Sequence, residues 1–100
     1  MRFTAKNIFN KQERITKSID KAIVRDAKRW IKKNIEYKIA HFKDVRCFSF
    51  YVNSCASTIN YTYNEFKQPF YDKVIPYFQN KGFKVEVDNS DELCTISWSK

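Results

Sequence analysis

The sequence predicts an α+β fold: a two-layer sandwich of element order α-β-α-β-β, with a long N-terminal helix and a second helix packed on a three-stranded sheet. Three observations carry the prediction. Residues 11–42 contain no Gly or Pro, and Ile recurs through them at every fourth position but one. A capping box at Thr62 opens a second four-residue apolar rhythm. Near the C-terminus, two alternating segments flank a polar turn.

The first helix is expected over Lys11 to Phe42. Asn10 and Glu13 resemble a capping pair at its start, an Asn oxygen accepting a first-turn N–H and Glu lying near the positive end. Residues 1 to 9 precede it as a loose end that Phe3, Ile8 and Phe9 can pin down. Ile15, Ile19, Ile23, Ala27, Ile31, Ile35 and Ile39 advance about 40° per step, so the apolar face rotates. One set, Ile15, Ile19, Ile23 and Trp30, falls on one side, and Val24, Ile31, Ile35 and Phe42 fall on another. A helix of this length spans about 48 Å. It either bends near Lys32-Lys33-Asn34 or projects and pairs with a second copy, most simply as a homodimer.

Arg46 to Val52 alternates, Phe48, Phe50 and Val52 on the inner side, as in a half-buried strand. Asn53 to Asn60 is polar and reads as a loop. Thr62-x-x-Glu65 then starts a helix whose Phe66, Phe70, Val74 and Phe78 recur at four-residue steps, with Gly82 as its stop. Pro69 and Pro76 require this helix to start late, kink, or turn both rings to solvent. Phe83 to Asp88 and Leu93 to Trp98 form a hairpin with Phe83, Val85, Val87, Cys94, Ile96 and Trp98 inward. A split β-α-β crossover gives strand order 1-3-2.

The 100 residues form one domain, residues 1–100, and 43% hydrophobic content suffices for a core without metal or disulfide staples. One Gly leaves no material for a phosphate-binding loop, which excludes P-loop and dinucleotide-binding enzymes. With no apolar run of membrane length and no signal-peptide pattern, the expected location is cytoplasmic and no membrane partner is expected. Cys47, Cys55 and Cys94 are an odd number without metal-site spacing, so free thiols are expected, Cys47 and Cys94 as small strand hydrophobes. No cofactor, metal site or catalytic set is expected. His41 lies near Asp44 and Cys47 only along the chain, and that spacing defines no nucleophilic pair. Phe, Tyr, Ile, Asn and Lys are abundant relative to Gly, Ala, Arg and Pro, as in proteins of AT-rich genomes, bacteriophages among them.

Charge is the one pronounced asymmetry. Up to Lys43 the chain has 13 basic and 4 acidic residues, and beyond it 6 and 7. Arg14, Lys17, Lys21, Arg25, Lys28 and Lys32 are spaced three or four apart and share one helical face about 27 Å long. Cations at that spacing meet successive phosphates, and counterion release supplies the affinity. The expected function is therefore nucleic-acid binding, to DNA or RNA, through this face. Two alternatives are an inhibitor or adaptor that docks the same face on an acidic protein and, on residue types alone, a small metal-independent ribonuclease. Trp30, Tyr37 and His41 lie within about 60° of one another on the helix and form a candidate interaction surface for base stacking or pairing of two copies.

Overall fold

A computed structural model describes residues 4–99. Its elements run α1 (Ala5–His41), β1 (Cys47–Tyr51), α2 (Val52–Thr58), α3 (Tyr63–Pro69), a π-helical turn (Phe70–Val74), α4 (Ile75–Asn80), β2 (Lys84–Val87) and β3 (Leu93–Ser97). The sheet order is β1-β3-β2, with β3 antiparallel to both neighbours, so the expected α+β architecture and strand order are present. Phe48 pairs across to Ile96, and Ile96 to Val85, which places the alternating apolar residues of all three strands on one face. The opposite face is polar and open; there Ser49 and Thr95 share a hydrogen bond of 2.9 Å.

Helix α1 starts six residues before the expected position. Thr4 is its cap, the hydroxyl accepting from the Asn7 N–H at 3.2 Å, so Asn10 and Glu13 lie inside the helix. Ile8 and Phe9 belong to that first stretch rather than to a loose end, and Phe3 lies outside the described residues. The helix is uninterrupted through Lys32-Lys33-Asn34 and projects: the molecule measures 60 × 26 × 23 Å. Only Ile23, Ala27, Ile31 and Ile35 are buried. The two expected apolar sets are therefore not divided around the helix. The division runs along it, because the body covers residues 23–35 and leaves Ile8, Phe9, Ile15 and Ile19 exposed beyond one edge and Ile39 and Phe42 beyond the other.

The expected loop at Asn53 to Asn60 is mostly helix. Val52, Cys55 and Ala56 are spaced to bury together, and that tertiary packing outweighs the polar composition between them. Asn60 ends α2 at φ 67°, with its N–H on the Ser57 carbonyl and the Tyr61 N–H on the Ala56 carbonyl. This is the paired-bond cap that usually takes Gly. Gly82, at φ 94°, builds the same cap after α4: Gly82 N–H bonds to Gln79, Phe83 N–H bonds to Phe78, and the two Phe rings meet edge to face at 5.7 Å.

The capping box forms as expected, Thr62 accepting from the Glu65 N–H at 3.2 Å. The prolines are accommodated differently from two of the three expected ways. Pro69 is buried rather than turned to solvent, and the chain widens just before Pro76, where the Ile75 N–H bonds back five residues to Phe70. A regular turn would drive the Pro76 ring against the Asp72 carbonyl and leave that carbonyl without a donor; the wider turn relieves both.

The core joins α1 to the sheet through aromatic rings. Trp30 meets Phe48 at 5.6 Å and Phe50 edge-on at 5.3 Å, and Phe50 meets Phe70 at 6.0 Å. Cys94 and Cys55 are buried, whereas Cys47 is exposed on the open sheet face, contrary to its expected burial; all three thiols are free.

Candidate nucleic-acid interface

The six basic residues of the predicted face all lie on α1, and the body divides them. Arg14, Lys17 and Lys21 lie along or at the edge of the projecting stretch and are exposed. Arg25, Lys28 and Lys32, with Lys21, also line a groove of about 920 Å³ between α1 and the segment running from the π-helical turn into α4. Helical periodicity holds the six in line; the groove exists because α3 and the π-helical turn pack on α1 while α4 stands off from it and leaves a trough between them.

Three cationic residues outside the predicted set join this groove: Arg29 and Lys33 from α1, and Lys73 from the π-helical turn. Arg29 and Lys33 continue the four-residue steps from Arg25, a signal present in the sequence. Lys73 and the ring of Tyr77 come from another element, and only tertiary structure brings them in. Acidic lining comes from Asp20, Glu36 and Asp72. Asp72 accepts from the Gln68 amide at 2.6 Å.

Tyr77 organises the inner end. The Lys28 Nζ lies 4.0 Å from its ring centroid, Lys32 Nζ 5.0 Å and Lys81 Nζ 5.8 Å. The nearby Lys32 ammonium holds the pKa of the Tyr77 phenol below the ordinary tyrosine value, with Lys81 and Lys28 adding to the effect against the opposing pull of burial. Among the described residues, none of these three lysines is paired with a carboxylate. Arg25 is: its Nε lies 3.1 Å from Asp26. Burial pushes the Asp26 carboxyl up, but the Tyr61 hydroxyl at 2.9 Å, Arg25 and Arg29 together hold it below its ordinary value. Arg25 is thus the least available cation of the six.

Trp30, Tyr37 and His41 do share one side of α1, but the body ends between them. Trp30 is half-buried against Phe48 and Phe50. Tyr37 and His41 lie beyond Ile35, the last buried residue of the helix, and stack on each other at 4.1 Å with 22° between planes. His41 Nδ1–H donates to the Tyr37 carbonyl at 2.9 Å and so closes the helix end. Among the described residues, no three His, Cys, Asp or Glu side chains gather as a metal site, and no helix is long and apolar enough to cross a membrane.

Comparison with family models, with curated proteins and with solved structures finds no match to this chain.

Proposed function

We propose that the chain binds nucleic acid through the basic face of α1, with Arg14, Lys17, Lys21, Lys28 and Lys32 meeting phosphates and Arg25 contributing less because Asp26 already holds it. The observation that carries this reading is an uninterrupted helix that presents these cations in line, free of carboxylate partners among the described residues, from an arm extending past the body at Arg14 and Lys17 to the groove at Lys28 and Lys32. Such a rail suits successive phosphodiesters, each a single charge, and gives affinity that depends on salt rather than on sequence. A cytoplasmic setting suits three unpaired thiols.

Titration with single-stranded DNA, duplex DNA and RNA oligonucleotides across a salt series tests the reading. The double variant Arg14→Glu/Lys17→Glu should weaken binding and lower the slope of log K against log salt by about 2 on duplex DNA, close to one for each phosphate no longer neutralised. Affinity and slope equal to wild type overturn it. So does a failure of wild type to bind any of the three at low salt, and binding to an acidic protein in its place then identifies the partner class.

A further inference from the structure

We infer that a second, distinct site lies where the groove between α1 and α4, lined by Lys28, Lys32 and Tyr77, meets a smaller pocket of about 230 Å³ lined by Lys32, Tyr77 and Lys81: a seat for one multiply charged phosphate group, formed by the three lysines around Tyr77. It shares two lysines with the rail described above but does not depend on that reading, since its geometry suits a different ligand. The rail spreads its cations along about 27 Å and so matches charges spread along a strand. At Tyr77 three ammonium groups, Lys28 and Lys32 from α1 and Lys81 from the residue just after α4, lie within 5.8 Å of one ring centroid. Convergent charge of this kind fits a terminal phosphomonoester or a pyrophosphate better than a single phosphodiester.

The aromatic face explains how such a cluster persists without an anion. A ring quadrupole attracts ammonium groups and holds them in place without cancelling their charge, so they stay oriented and in excess. Nearby carboxylates form no ion pair with the cluster among the described residues: Asp72 accepts from the Gln68 amide, and neither Asp72 nor Glu36 lies in a salt bridge. The Tyr77 hydroxyl, near Lys32, stands among the same cations as a further polar group for a phosphate oxygen. The groove, at about 920 Å³, is much larger than one phosphate and has room for the organic part of a phosphorylated small molecule or the last nucleotide of a strand.

Calorimetric titration of the full chain with pyrophosphate at low salt tests the site. Wild type should bind, and Lys81→Ala, an exposed position outside the α1 rail, should weaken binding about tenfold, as expected for removal of one charge-assisted hydrogen bond. Tyr77→Leu should weaken it as well, with circular dichroism confirming that both variants remain folded. Arg14→Glu/Lys17→Glu should leave pyrophosphate affinity within about twofold, since neither residue lines the groove. That variant separates the two readings, because the rail can fail while the seat stands, and the reverse. Two further arms locate the source of the phosphate. An oligonucleotide with a 5′-phosphate that binds more tightly than its 5′-hydroxyl form, by a margin that disappears in Lys81→Ala, identifies a strand end. Equal binding of the two forms, with pyrophosphate still bound, identifies a free phosphorylated molecule. Absence of pyrophosphate binding to wild type, or binding unchanged in folded Lys81→Ala, overturns the site.

Discussion

Glu92 joins three parts of the chain. Its carboxylate accepts from the hydroxyls of Tyr63 and Tyr71, the latter at 2.6 Å, its carbonyl accepts from the Val52 N–H at 3.0 Å, and its own N–H bonds to Asp88 at 2.9 Å. The hairpin is thereby tied to the start of α2, to α3 and to the π-helical turn, and Glu92 adopts φ 55° to do it. Glu92→Ala leaves the part-buried Tyr71 hydroxyl without its acceptor and should cost about 1–3 kcal/mol by urea unfolding, with Glu92→Gln costing less because an acceptor oxygen remains. The pH response follows from the same bonds. The Tyr63 and Tyr71 hydroxyls hold the Glu92 carboxyl below its ordinary 4.5, so its contribution is present above that value and is lost as pH falls through the lower folded-state value. Tyr63 and Tyr71 are pushed up, Tyr63 mainly by its bond to Glu92 and Tyr71 by burial and then that bond; their contribution is present below pH 10 and is lost above it. Acid and alkaline unfolding curves should both flatten in Glu92→Gln.

At the scale of elements, helix ends are set by local chemistry and helix burial is not. Gly82→Ala places a side chain at φ 94° with open space around it, so the cost is backbone strain alone, about 1–2 kcal/mol by thermal unfolding, and Gly82→Asn should cost less. The capping box at Thr62, the stop at Gly82 and the alternation of the three strands are legible in the sequence because each is written within a few neighbouring residues. The π-helical turn is legible only as a conflict between Pro76 and a continuing helix. Helix α2 is not legible: Asn53, Ser54, Ser57 and Thr58 resemble a loop, and what makes them helical is the burial of Val52, Cys55 and Ala56 in the core. Nor does periodicity say where a partner ends. Ile15 and Ile23 look alike in sequence, yet Ile15 is 50% exposed and Ile23 fully buried. The same limit applies to the site, where the α1 cations are visible in the sequence and Tyr77 and Lys81, contributed by the second half of the chain, are not. Residues 5–20 of α1, without the core packing of residues 23–35, should show hydrogen exchange far faster than those residues.

For the whole molecule, the projecting arm combines an apolar stripe with a cationic one. Ile8, Ile15 and Ile19 lie about 140° around the helix from the mean direction of the basic face. We propose a second copy as the occupant of the apolar stripe: an antiparallel two-fold pairing would cover both sets of Ile while directing the two basic faces outward, away from each other. Sedimentation at micromolar concentration should find a dimer that Ile15→Asp dissociates without lowering the melting temperature of the body; a wild-type monomer at that concentration rules the pairing out. Pairing would also protect residues 5–20 from exchange in a concentration-dependent way. The two tryptophans make the body, and only the body, visible to light. Trp30 lies at the junction of helix and sheet, Trp98 meets Phe83 at 6.3 Å beside the hairpin, and residues 4–20 contain neither. Emission from Trp30→Phe therefore follows the hairpin and emission from Trp98→Phe follows the helix–sheet junction, and coincident denaturation midpoints would show that the two unfold as one unit. A ligand held solely along the arm should leave both spectra unchanged, so the intrinsic fluorescence of this protein distinguishes a binding event that reshapes the body from one that touches only its extension.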